Sequence, residues 1–154
     1  MTLKDILKLE QTQTESMIQH TCVAWFRHTF PSHAELLWGI PNGGQRSGVS
    51  GAMRRYEGAV AGASDIVLFH KNGGYGALHI EMKRPKVKGQ HSSGKQSDAQ
   101  KKMQAKLERA GYKYVTCHGL QEFIEEICLY ACIDYSPYLE DVCKNYETYR
   151  KAKL

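Results

Sequence analysis

Two apolar runs flanking a glycine-rich turn constrain this chain more than any other feature of its sequence. Asp65-Ile-Val-Leu-Phe69 reads as a buried strand, Asn72-Gly-Gly-Tyr-Gly76 as a tight turn, and Ala77-Leu-His-Ile-Glu-Met-Lys83 as the hairpin partner. Side chains alternate along a strand, so Glu81 and Lys83 emerge on one face while Leu78, Ile80 and Met82 point to the other. Pairing across the turn brings Asp65 near Glu81. Two carboxylates at a sheet end, beside an ammonium group, offer the donors that a hard divalent cation takes. Such an ion, kept partly hydrated, polarises a phosphodiester and generates hydroxide near neutral pH. The same three residues also fit a plain salt bridge on a solvated sheet face, since antiparallel sheets commonly keep one face wet. The hairpin alone leaves both readings open.

The flanking sequence adds elements in a defined order. Glu57-Gly58-Ala-Val-Ala-Gly62-Ala-Ser64 places glycines just before Asp65, where they let the backbone turn tightly. Ser97-Asp98-Ala-Gln100 opens a helix in which Met103, Leu107 and Ala110 recur at helical spacing, with Gly111 as its stop. Tyr112 to Cys117 is strand-like, and an amphipathic helix runs from Leu120 to about Tyr130. Upstream, Thr14-Glu15-Ser-Met-Ile18 opens a helix with an apolar stripe of Ile18, Cys22, Trp25 and Phe26, and Pro31 follows its end. An apolar strand, Leu36 to Ile40, leads into Pro41-Asn42-Gly43-Gly44.

In this order the segments resemble the VRR-NUC branch of the PD-(D/E)XK nucleases over about residues 14 to 128. That branch shows an acidic residue early in the first helix, an apolar strand ending in an Asn-Gly turn, and a glycine-rich turn into an acidic strand. A Glu-x-Lys strand, a helix opened by Gln, and a Gly-Tyr entry to the last strand complete the pattern. The chain departs from it at Ser64, where the family has proline before the motif aspartate.

The resemblance implies an α/β fold of the restriction-endonuclease type, with a mixed central sheet of about four or five strands flanked by helices. It implies metal-dependent hydrolysis of DNA phosphodiesters. Mg²⁺ or Mn²⁺ would be held by Asp65, Glu81 and the Met82 carbonyl, with Glu15 acting directly or through water. Lys83 would orient the attacking water or offset developing charge, and Gln100 would support it. Standalone proteins of this size in the family resemble phage-type, structure-selective endonucleases, including Holliday-junction resolvases, so branched DNA is the leading substrate. Ordinary duplex or single-stranded DNA is the alternative within enzymes, and a non-catalytic DNA-binding module the alternative outside them. Structural roles compete for some of these residues: Thr12-x-x-Glu15 and Ser97-x-x-Gln100 both fit the capping-box pattern. His79 shares the face of Glu81, but a lone histidine is more often a hydrogen-bonded structural residue than a ligand.

Charge agrees with a polyanionic partner. The 154 residues carry a formal net charge of +5, which favours polyanions near the surface. Arg84, Lys86, Lys88 and Lys95 lie in the Gly/Ser-rich stretch after the Glu-x-Lys strand, and Arg46, Arg54 and Arg55 precede Gly58. With Asn42 these form the expected DNA-binding set, giving salt-sensitive, sequence-independent phosphate contacts. Basic residues elsewhere on a surface often serve only solubility.

The five cysteines form no Cys-x-x-Cys pair, and Cys128 and Cys132 lack a matching histidine pair, which argues against zinc. Cys22 and Cys128 fall on apolar helix stripes and are expected to be reduced core residues. No apolar stretch reaches membrane-spanning length, and no phosphate loop for nucleoside triphosphates occurs. The expectation is one cytoplasmic domain spanning residues 1–154, in a bacterial or phage-infected cell. Its ends add a short helix carrying Leu3, Ile6, Leu7 and Leu9 and a last helix from Ser136 to about Lys151. The aromatics of that last helix pack either on the core or against a second copy. Because a one-site chain must act twice to cut both strands, a homodimer is expected.

Overall fold

A computed structural model describes residues 1–41, 52–53, 55–86 and 95–154. Helix α1 (Leu3–Glu10) is followed by α2 (Glu15–Thr29), a 3₁₀ segment (Pro31–Leu36) and strand β1 (Leu37–Gly39). Strands β2 (Ile66–Leu68) and β3 (Leu78–Lys83) come next, then α3 (Asp98–Arg109), β4 (Lys113–His118), α4 (Leu120–Ala131) and α5 (Ser136–Arg150). The described strands form one four-stranded sheet in the order β1-β2-β3-β4. The first two pairings are antiparallel, and β3 runs parallel to β4. A parallel neighbour needs a crossover, which α3 provides.

The hairpin forms as its sequence demands. Gly73 and Gly74 both adopt positive φ (57° and 83°), the conformation of a type I′ turn whose twist suits a two-residue connection. Asn72 and Tyr75 exchange backbone hydrogen bonds across it, and the Asn72 side chain donates to the Tyr130 carbonyl at 2.5 Å, pinning the turn to the end of α4. The β2–β3 ladder pairs Ile66 with Ile80, so Asp65 falls opposite Glu81. Regular strand geometry in β2 ends at Leu68, but hydrogen bonds from Ile40 to the Asp65 carbonyl and from Phe69 to the Leu36 carbonyl continue the β1–β2 pairing at each end.

One face of the sheet meets α2 and α4 in a core built from Ile18, Cys22, Trp25, Ile66, Leu78, Ile80, Phe123 and Ile127, all at most 1% exposed. Trp25 stands edge-on to Phe30, Phe123 and Tyr138, with ring centroids 5.7–6.1 Å apart. The expected reduced core cysteines are there: Cys22 and Cys128 are buried and unbridged.

Helix α5 resolves the choice left open for the last helix. Val142, Tyr146 and Tyr149 are buried in the chain's own core, and Tyr138 packs on Trp25. Its aromatic face is therefore spent within the molecule and is not available to a second copy. Truncation at Ser136 would open this core rather than simply weaken self-association.

The α1–α4 junction holds a second buried polar feature. Gly119, at the N-cap of α4, offers no side-chain acceptor; instead the buried Glu10 carboxylate accepts from Leu120 N at 3.1 and 3.3 Å. An anion at a helix N-terminus satisfies an otherwise orphaned amide and complements the helix dipole. Burial nonetheless dominates and pushes the Glu10 carboxyl from 4.5 up to about 7, against the opposing bond from Leu120. Because the folded-state value is raised, stability from the neutral carboxyl is complete below about pH 4.5 and is lost as pH climbs towards 7. The range corresponds to about 3 kcal/mol at most. Glu10→Gln keeps an oxygen for Leu120 but cannot ionise. Thermal unfolding in EDTA should show wild type losing clearly more stability than Glu10→Gln between pH 5 and pH 7.5. Equal losses would mean that Glu10 does not titrate in this range.

Candidate active site

The site lies on the sheet face opposite the main core, at the end of β3, and α3 covers it. Glu81 and Lys83 share this face as alternation requires, while Met82 turns its side chain into the core. The solvated-face reading of these residues does not hold: Glu81 is 1% and Lys83 8% exposed. Lys83 Nζ donates to Glu81 Oε1 at 2.6 Å, a buried ion pair within one strand. The Gln100 amide donates to the same Glu81 oxygen, and Tyr114 OH lies 3.4 Å from Glu81 Oε2. Asp65 Oδ2 accepts from Met82 N at 2.8 Å, which locks the end of β2 to β3.

These carboxyls are held in an unfavourable setting. Burial raises Glu81, the Asp65 charge raises it further, and the bond from Lys83 works in the opposite direction. Asp65 is raised by burial as well, partly offset by the Met82 amide and Lys83. Two like charges that are both short of water favour any cation that can lie between them. Tyr114 is raised too, by burial and then by the charge of Glu81.

Gln100 caps its helix and also bonds Glu81. Its Oε1 accepts from Ser97 N at 2.8 Å, completing a capping box with the Ser97 hydroxyl, while its Nε2 reaches Glu81. Helix α3 can come this close because Gly62 passes beneath it at φ 81°: a Cβ there would lie 2.4 Å from the Ala99 carbonyl oxygen. The capping box that competed for Glu15, with Thr12 as its cap, does not form. Thr14 caps α2 by accepting from Met17 N at 3.2 Å, and the Thr12 hydroxyl instead donates to the Leu9 carbonyl. Of the two threonines, the one that directly precedes the helix took the cap.

Glu15 is therefore the first residue of α2 and exposed. Its Oε1 faces the Arg84 amide at 3.4 Å, one residue beyond Lys83, and its charge is felt at Asp65. Among the described residues no three Asp, Glu, His or Cys side chains converge as a ready ligand set; Asp65 and Glu81 are the adjacent pair and Glu15 stands at their margin. His79 has the structural role expected of it. Its Nδ1 pairs with Ser64 Oγ at 2.9 Å and its ring meets Tyr112 edge-on, while burial lowers its pKa. Ser64 thus uses the position where the family pattern has proline to hold His79.

Of the expected DNA contacts, Arg84 and Lys86 follow directly on β3, Lys95 precedes α3, and Arg55 lies in the helical turn before Gly58. Lys86, Lys95 and Arg55 are exposed, and Arg84 is half-buried. Asn42, Arg46, Arg54 and Lys88 lie outside the described residues. Tyr114 was missed from sequence. Its alternation within Lys113–His118 was visible, but its place beside Glu81 depends on a parallel register that no local signal sets.

A mixed sheet flanked by helices, with a buried and a half-buried carboxylate side by side and a lysine at a strand end, defines a nuclease-like α/β fold. The VRR-NUC domain family matches residues 9–121, and the chain belongs to that family. A solved structure described as a VRR_NUC domain protein superposes with a TM-score of 0.64 at 22% identity, covering 79% of this chain and 90% of the other. No curated protein matches. Family membership carries a nuclease-like function acting on DNA.

The double bonding of Gln100 separates its roles experimentally. Ser97→Ala and Gln100→Ala should each cost about 1 kcal/mol through the lost cap, about 2–4 °C in Tm for a chain of this size. Only Gln100→Ala should also lower DNA cleavage, by about 10- to 100-fold. Equal activities in the two variants would confine Gln100 to capping.

Proposed function

We propose that the chain is a divalent-metal-dependent endodeoxyribonuclease. The single observation that carries this reading is the buried Glu81 beside the half-buried Asp65, with Lys83 bonded to Glu81. Asp65, Glu81 and the backbone carbonyl of Met82 would hold Mg²⁺ or Mn²⁺, with Glu15 approaching directly or through water. When bound, such an ion offsets phosphate charge and acidifies water. In hydrolysis, the water oxygen bonds to phosphorus as the bond to the leaving sugar oxygen breaks.

The protein groups have distinct parts in this step. An ammonium has three donors, and Glu81 uses one of those on Lys83. The others can orient the attacking water or meet charge growing on the phosphate. Gln100 and Tyr114 fix the two oxygens of Glu81, so the carboxylate does not rotate as charge moves. Arg55, Arg84, Lys86 and Lys95, with Asn42, Arg46, Arg54 and Lys88, would hold the DNA backbone by charge.

The preferred substrate in this reading is branched DNA, as for a Holliday-junction resolvase, cut by a homodimer whose two sites meet opposed strands. Since α5 is occupied by its own core, that dimer would use another surface. Cleavage of ordinary duplex or single-stranded DNA, or DNA binding without cleavage, are the competing readings. Purified protein offered a four-way junction, a flap, duplex and single-stranded DNA should cut the branched substrates fastest with Mg²⁺ or Mn²⁺. A monomer by light scattering that nicks linear duplex as fast as a junction removes the resolvase reading and leaves the nuclease.

Asp65→Asn, Glu81→Gln and Lys83→Ala should each reduce cleavage by at least about 100-fold while DNA binding persists. EDTA should abolish cutting by wild type. Undiminished cleavage in EDTA would overturn the metal-dependent reading, and a wild-type rate in any one folded variant would remove that residue from the chemistry.

A further inference from the structure

The edge of the sheet carries two large aromatic side chains that no fold-level requirement explains. Trp38, in edge strand β1, is 57% exposed, and Phe69, just beyond β2, is 47% exposed. Their rings meet edge-on with centroids 4.9 Å apart. The indole is also fixed in orientation, because its Nε1 donates to the Glu35 carbonyl at 2.8 Å. A solvent-facing tryptophan held by both a hydrogen bond and a second ring is ordered before any ligand arrives.

Register places this pair on the face of the proposed active site. Trp38 lies opposite Val67, and Val67 opposite His79. Asp65 and Phe69 are each two residues from Val67, so they are the diagonal neighbours of Trp38 on the same sheet face. Such neighbours lie about 7–8 Å apart, within reach of an aromatic side chain. This is about two base steps of 3.4 Å along a strand of DNA. The aromatic pair thus continues the site formed by Asp65, Glu81 and Lys83 towards the sheet edge.

We propose that Trp38 and Phe69 form a stacking platform for an unpaired nucleobase lying one or two nucleotides from the cleaved phosphate. The proposal rests on the DNA-cleaving reading above and deepens it by assigning a structural source of substrate choice. Every base presents a π-face, so such a platform is tolerant of sequence. It is intolerant of continuous duplex, in which each base is already stacked and paired. Branch points, flaps and single strands supply free bases without that cost. Basic residues hold the backbone, the carboxylate pair addresses the phosphate, and the aromatic pair reads whether the neighbouring base is unstacked.

The chain has two tryptophans, and Trp25 is fully buried, so fluorescence change on DNA binding reports chiefly on Trp38. Oligo(dT) and a blunt duplex of equal length, added in EDTA to prevent cleavage, are the probes. Oligo(dT) should quench wild-type emission, whereas the duplex should not. By anisotropy of labelled DNA, Trp38→Ala should weaken oligo(dT) binding by about 5- to 150-fold and duplex binding less than twofold. Trp38→Phe should retain most of the affinity, and Phe69→Ala should weaken oligo(dT) binding in the same direction. Unchanged binding of both DNAs by Trp38→Ala would overturn the proposal. So would a change in oligomeric mass of that variant with unaltered DNA preference, which would make the pair a protein–protein contact. Quenching and selective loss without any cleavage in Mg²⁺ or Mn²⁺ would uphold the platform while removing the nuclease reading.

Discussion

The burial of Glu81 is the constraint around which this molecule is arranged. A carboxylate removed from water is costly unless it is bonded and compensated. Here Lys83 and Gln100 bond one oxygen and Tyr114 approaches the other. Each partner comes from a different element: the same strand, the crossover helix and the parallel neighbour strand. The β3–α3–β4 unit thereby closes around one side chain, and the glycine at position 62 lets the preceding loop pass close under α3. Burial outweighs this compensation, and both Glu81 and Asp65 stay raised.

The architecture separates the core from the proposed site by sheet face. Leu78, Ile80 and Met82 of β3 join α2 and α4 in the core, while the alternate residues Glu81 and Lys83 form the proposed site. Helix α5 covers α2 from outside, and Glu10 ties the end of α1 to the start of α4. A one-residue slip of β3 would exchange the two faces, burying charge in the core. The fixed hairpin turn and the Asp65–Met82 bond both oppose that slip.

Much of this was legible because it is local. Turn glycines and alternation gave the hairpin and the meeting of Asp65 with Glu81, and 3.6-residue periodicity gave α2, α4 and α5. What escaped the sequence depends on contacts between distant segments. Nothing near Tyr114 signals that β4 pairs parallel to β3, and nothing near Glu10 signals that it caps a helix beginning at Leu120. The depth of Glu81 could not be read either, since the wet or buried state of a polar strand face depends on what covers it. At α2 the Thr12-x-x-Glu15 pattern misled, because Thr14, directly before the helix, takes the cap.

The central claim is that Asp65 and Glu81 form one cation-binding pair whose raised proton affinity gives way when the ion binds. Calorimetric titration of Mn²⁺ into the protein at pH 6.5, repeated in two buffers of different ionisation enthalpy, measures both binding and proton release. The account predicts saturable binding with release of part of a proton, both absent in Glu81→Gln. Identical heats for wild type and Glu81→Gln, or binding with no dependence on buffer, would contradict it.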